Sequence, residues 1–221
     1  LVVLVVAAVG SSQRRLVKGR WVAVRVIKVA TAGNAVAIAV AVDVLPLATW
    51  REEELIAGIT SRLETKGAQP PFVLVLDGVQ DPHNLGAILR TADATGATGV
   101  VVQTRRSAAR SGAAAKASAG AVAHVKIAEV VNVARALEEL KDFGVWTVGL
   151  AANAPTPYDR VDFTLPSAIV LGAEGEGLRR LVRERCDLVV SIPMLGRLSS
   201  LNVSADAALA TYEVARARRP H

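Results

Sequence analysis

Three short stretches of this 221-residue chain place glycines, small polar residues and a few charges where an apolar run gives way to a helical pattern. They are Leu76 to Arg90, Val170 to Arg180, and Ile192 to Ser204. Loops of that shape put backbone N–H and C=O groups within reach of a ligand. In the first stretch, Asp81 or Asn84 can cap a helix, with Pro82 in the turn. Arg90 lies one turn beyond Gly86 on the same helical face, and the missing side chain at Gly86 leaves room for a substrate beside the guanidinium. Spacing alone leaves a structural and a functional Arg90 both open.

The second stretch, Leu171-Gly172-Ala173-Glu174-Gly175-Glu176-Gly177, lets the backbone turn tightly and approach a ligand closely. It is not the G-x-G-x-x-G dinucleotide fingerprint, and none follows the first strand of this region, which disfavours an NAD-binding protein. Its acidic pair repels pyrophosphate and suits a cationic or hydroxyl-bearing ligand. The third stretch, Ile192-Pro193-Met194 to Ser199-Ser200-Leu201-Asn202-Val203-Ser204, reads as a strand end, a loop and a helix start capped by Ser200 or Asn202.

The elements around these loops alternate. Short apolar runs at Phe72–Leu76, Gly99–Val102, Val125–Ala128, Val145–Leu150, Ala168–Leu171 and Leu188–Ile192 read as strands. Helical patterns fall near Leu85–Thr95, Val131–Leu140, Gly177–Arg185 and Asn202–Arg218. This predicts an α/β fold with a mainly parallel sheet and helices on both faces, with ligands bound beyond the carboxyl ends of the strands. Residues 70–221 form that domain, after a linker at Lys66–Pro71. Residues 1–69 are expected to form a small N-terminal α+β domain of RNA-binding type, with strands at Trp21–Ala30 and Asn34–Val44 and a helix at Trp50–Leu63.

Composition narrows the function classes. The chain is 52% hydrophobic and 21% charged, with net charge +6 and a pI near 10, which is globular and suited to a polyanionic partner. The excess charge lies in residues 1–42, which carry six basic and no acidic residues, against 17 basic and 15 acidic in residues 70–221. Arg105, Arg106, Arg110 and Lys116 stand among Ser, Ala and Gly, either as a solvated loop or as contacts for RNA phosphates. Cys186 is the only cysteine, so no intrachain disulfide forms and a reducing cytoplasm is expected. The three histidines show no metal spacing, and no metal is expected. No run approaches the roughly 20 apolar residues of a membrane span, and Leu1–Val9 is too short for a signal peptide. Met194 is the only methionine, so the sequence does not begin at an initiator, which leaves open whether it is a truncated product.

Asn84-x-Gly86-x-x-x-Arg90, the Gly172–Gly177 loop and the Ile192–Ser204 run together resemble the three motifs of the SpoU (TrmH-like) RNA ribose 2′-O-methyltransferases of the SPOUT class. The likeness is nearest to the RlmB type that methylates guanosine in 23S ribosomal RNA, and it covers about residues 70–221. It implies S-adenosylmethionine as cofactor, held by backbone groups around Gly172, Ile192 and Leu201, with Leu171, Ala173, Pro193, Met194 and Ser200 beside them. It also implies Arg90 as the central catalytic and RNA-binding residue, with Asn84, Glu174, Ser200 and Asn202 orienting ribose and loop. A C-terminal trefoil knot over about residues 172–218 and a homodimer follow from the resemblance alone. Transfer RNA as substrate, and a non-catalytic RNA-binding protein of the same fold, are the competing readings.

Overall fold

The computed structural model describes residues 13–17, 20–32, 35–44, 51–104, 114, 117–121 and 124–219. Contacts divide the chain into two units, residues 1–47 and 48–221. In the first unit, β1 (Gln13–Val17), β2 (Arg20–Ala32) and β3 (Ala35–Val44) form an antiparallel sheet in that order, with a bulge between Val26 and Lys28. The expected helix and linker belong instead to the second unit, which moves the division from residues 66–71 back to 47/48. The reason is packing. In α1 (Glu52–Glu64), Leu55 and Ile59 stand one turn apart and are buried in the core of the larger sheet. Three glutamates in the first turn of α1 suit its positive end.

The second unit is built on seven strands, every adjacent pair parallel: β4 (Phe72–Asp77), β5 (Gly99–Gln103), β6 (Ile127–Val130), β7 (Trp146–Leu150), β8 (Thr156–Pro157), β9 (Ser167–Gly172) and β10 (Leu188–Ser191). The spatial order is β6-β5-β4-β9-β7-β10-β8. The helices are α2 (Pro82–Ala94), α3 (Val133–Asp142), α4 (Arg180–Arg185) and α5 (Val203–Ala217). Strand alternation splits the core in two. Val73, Val75, Val101, Ala168 and Val170 meet α1 and α3 on one face. Leu74, Leu76, Val100, Val102, Ile169 and Leu171 are buried on the other, where α2 and α5 pack on each other and on β5 and β9.

The parallel α/β architecture with helices on both faces is thus as the alternating pattern predicts. Differences at element ends have local causes. Helix α3 begins two residues later than expected because Asn132 caps it, its side-chain oxygen accepting from the Arg135 N–H at 3.3 Å. Helix α4 begins at Arg180 and not at Gly177, whose φ of +69° belongs to a turn. No helix among the described residues is long and apolar enough to cross a membrane.

Candidate active site

Beyond the carboxyl ends of β7, β9 and β10 lies a cleft of about 400 Å³. Its walls are Leu150–Asn153 after β7, Leu171–Leu178 after β9, Ile192, Met194 and Ser199–Leu201 after β10, and Val203 and Asp206 in α5. The second and third sequence stretches therefore form one site. Leu171, Gly172, Ala173, Glu174, Ile192, Met194, Ser200 and Leu201 all line it, whereas Pro193, Asn84, Asn202 and Arg90 do not.

The loop after β9 is a tight turn. Ala173 and Gly177 exchange backbone hydrogen bonds of 3.2 and 2.9 Å, and Gly177 adopts the left-handed conformation. A Cβ on Gly172 would fall 2.1 Å from the Gly177 carbonyl carbon, so only glycine lets the turn fold back there.

Glu174 joins all three stretches. Its Oε1 accepts from the Asn84 side-chain amide in α2 and, at 2.8 Å, from the Asn202 amide at the start of α5. Asn84 is itself placed by Asp81, which caps α2 by accepting the Asn84 N–H at 3.0 Å. Asn202 caps α5: its oxygen accepts from Ser204 N–H at 2.8 Å and Ser204 Oγ at 2.6 Å. Side-chain amides from the first turn of α2 and the cap of α5 thus converge on one carboxylate. Of the two capping alternatives in each stretch, Asp81 and Asn202 are the ones used.

A second tie was not readable from the motifs. Asp77, fully buried at the end of β4, accepts from the Arg179 backbone N–H at 2.9 Å and from Arg179 Nε at 2.6 Å, and pairs with its guanidinium. This fixes the exit of the glycine turn against the sheet. The available signal is a lone charge ending an apolar run, Phe72–Asp77.

Asp206 is the other addition. It stands half-buried in the first turn of α5 and lines the cleft, and burial pushes its carboxyl up to about 6. Across the cleft, Arg183 donates to Asn153 at 3.2 Å. Burial pushes the Cys186 thiol up to about 12, which makes it an unreactive packing residue.

Arg90 is exposed, outside the cleft, and has no ionic or hydrogen-bonding partner among the described residues. The space beside it at Gly86 is not open: a Cβ there would fall 2.4 Å from Ala117 Cβ and 2.9 Å from Ser118 N. Gly86 therefore admits a crossing segment of the chain and not a substrate. Arg105, Arg106, Arg110 and Lys116 lie outside the described residues. Among the described residues, no group of His, Cys, Asp and Glu could hold a metal ion.

The cleft fits S-adenosylmethionine on three counts. Its volume lies in the usual range for small-molecule sites, about 300–1,000 Å³. Apolar Leu150, Ile192 and Leu201 offer contacts for an adenine ring. Glu176 and Asp206 offer negative charge to a cationic methionine end.

A parallel α/β sheet with a glycine-turn cleft at the carboxyl ends of its strands defines a ligand-binding α/β domain. The SpoU rRNA methylase family matches residues 71–212, and the chain belongs to that family. It is 49% identical over 157 residues to YacO of Bacillus subtilis, assigned to the TrmH family of tRNA/rRNA methyltransferases, covering 71% of this chain and 63% of that protein. The chain thus spans about three-fifths of the length of such relatives. Among solved structures, it resembles the SpoU methyltransferase AviRb of Streptomyces viridochromogenes in complex with AdoMet (TM-score 0.67, 27% identity, 81% of this chain and 68% of that one). It also resembles an RNA 2′-O ribose methyltransferase (TM-score 0.66, 31% identity, 85% and 67%).

Proposed function

We propose that this chain transfers a methyl group from S-adenosylmethionine to a ribose 2′-OH of RNA, with a guanosine of 23S ribosomal RNA as the target. The observation that carries this reading is the cleft formed by the second and third motif loops and tied through Glu174 to the first. Family membership supports S-adenosylmethionine as cofactor, and likeness to a ribose 2′-O-methyltransferase supports the acceptor atom.

When bound, the cofactor supplies an electrophilic methyl carbon on a sulfonium. The chain's own residues must bring the acceptor hydroxyl into line with that carbon, since alignment lowers the barrier by removing the entropy of encounter. The bound cofactor would offer that carbon to the 2′-oxygen and its sulfur would keep the C–S electron pair, while the hydroxyl proton would leave to a phosphate oxygen or water. Arg90 holds the adjacent phosphate and stabilises the developing alkoxide. It does not act as the base, because a guanidinium of pKa above roughly 12 keeps its proton. Asn84 and Asn202 act through Glu174 to fix the loops, and Ser200 orients the ribose.

In this reading the enzyme is a homodimer with the segment from about residue 172 to 218 threaded as a trefoil knot; resemblance to the family supports both. Residues 1–69 take part in RNA recognition, which their basic start supports. The test is transfer of label from S-adenosylmethionine to unmodified ribosomal and transfer RNA, offered separately. Label in the ribosomal pool is expected. Label only in transfer RNA would move the substrate class, and none in either would overturn the assignment.

A further inference from the structure

The end of the sheet opposite the cleft carries a second cavity of about 300 Å³. Arg62 in the last turn of α1, Phe72 at the start of β4, Thr95 after α2, and Tyr212, Arg218 and Arg219 at the end of α5 line it. Three guanidinium groups contribute to this lining and no acidic residue does.

Arg218 is half-buried and held by uncharged acceptors only. Its Nε donates to the Phe163 carbonyl at 2.8 Å, Nη1 to the Pro70 carbonyl at 2.6 Å, and Nη2 to the Leu165 carbonyl at 2.7 Å and Ser167 Oγ at 3.1 Å. The guanidinium carbon sits 5.8 Å from the Phe72 ring centre. Burial, and after it the charge of Arg62, push this group down to about 10, so it stays protonated at neutral pH beside a like charge. Buried cations are normally matched by a carboxylate. Here the described residues supply none.

Clamping the loops before β4 and β9 accounts for Arg218. It does not account for Arg62 and Arg219, which are exposed and have no ion-pair partner among the described residues. Tyr212 is 52% exposed beside them, an aromatic ring on which a base can stack.

We propose that the Arg62–Arg218–Arg219 cavity binds a backbone phosphate of the RNA substrate, as an anchoring contact remote from the target nucleotide. This rests on the RNA methyltransferase reading above. Strand β4 separates the two sites by about 20 Å, taking six residues at roughly 3.3 Å each, so the RNA runs along the domain from one end of the sheet to the other.

The test measures binding of unmodified ribosomal and transfer RNA transcripts to the whole chain as a function of salt. In Arg62→Glu/Arg219→Glu, affinity for the transcript that the unaltered protein binds should fall at least about tenfold at ~0.1 M salt. The slope of log K against log[salt] should shrink by about 1 to 2. S-adenosylmethionine affinity should not change. Arg62→Gln/Arg219→Gln guards against misfolding, and should show a smaller loss of affinity with a similar loss of slope. Unchanged affinity and slope in both variants would overturn the anchoring site while leaving the methyltransferase reading intact. Failure of the unaltered protein to bind either transcript would bring down both.

Discussion

The Asn202 side chain is divided between two tasks: its oxygen caps α5, and its amide donates to Glu174 Oε1 at 2.8 Å. Capping and loop closure are therefore one structural event. The amide orientation follows from it, since Ser204 N–H requires an acceptor and the carboxylate requires a donor.

Asn202→Asp separates the two tasks. Aspartate still caps the helix, but it loses the donor and faces Glu174 with a like charge. S-adenosylmethionine affinity should drop about fivefold, because both side chains are exposed and the lost bond and new like-charge contact together amount to about 1 kcal/mol. Melting temperature should barely move. Calorimetric titration and a thermal scan check this pair of outcomes.

The Asp77–Arg179 pair should behave asymmetrically. Removing one partner of a buried ion pair costs about 3–5 kcal/mol. Arg179→Ala strands a carboxylate with no exposure at all, whereas Asp77→Ala strands a guanidinium group that is 38% exposed. Arg179→Ala should thus be the more destabilising, and the double variant should fall short of the sum. Urea unfolding of the three variants measures it.

Gly172→Ala should act on the cleft more than on the core. The added methyl would meet the Gly177 carbonyl and lift the turn off β9. Overpacking of this kind costs about 1–3 kcal/mol, and cofactor affinity should fall at least about tenfold. Equilibrium dialysis with labelled S-adenosylmethionine gives the answer.

Asp206 predicts a pH dependence. Its folded value of about 6 exceeds the unfolded 3.8, so the folded protein holds a proton that the unfolded chain has released. Stability from this group is therefore lost as pH rises from 3.8 through 6. Asp206→Asn should be the more stable form at pH 7, by about 1 kcal/mol after solvent screening, with the difference vanishing below pH 4. Binding moves the other way. The ionised carboxylate attracts a cationic ligand, so affinity for S-adenosylmethionine should rise through pH 6 and be flat in Asp206→Asn. Glu174, Glu176 and Arg183 also line this cleft and remain in the variant, which isolates the Asp206 contribution.

The sheet and its helices are legible in the sequence because parallel strands buried on both faces read as short apolar runs between amphipathic helices. The glycine turn and the α5 cap are legible because their chemistry is local. What stays hidden is set by distance along the chain. Asp77 and Arg179 are 102 positions apart, and nothing near either residue announces the other. Gly86 looks like space for a substrate until Ala117 is seen to occupy it. The linker at residues 66–71 suggests a domain boundary, but the burial of Leu55 and Ile59 places α1 with the sheet that follows. Asp206 sits in an alanine-rich helix start, where only the fold turns it toward the cleft.

The most direct test digests the labelled RNA to nucleosides after reaction with the unaltered protein and with Arg90→Ala, while measuring cofactor binding to both. Label in 2′-O-methylguanosine from the unaltered protein is predicted. Arg90→Ala should transfer none while binding S-adenosylmethionine with nearly unchanged affinity. Label in a base-methylated nucleoside, or loss of cofactor binding in Arg90→Ala, would contradict the account.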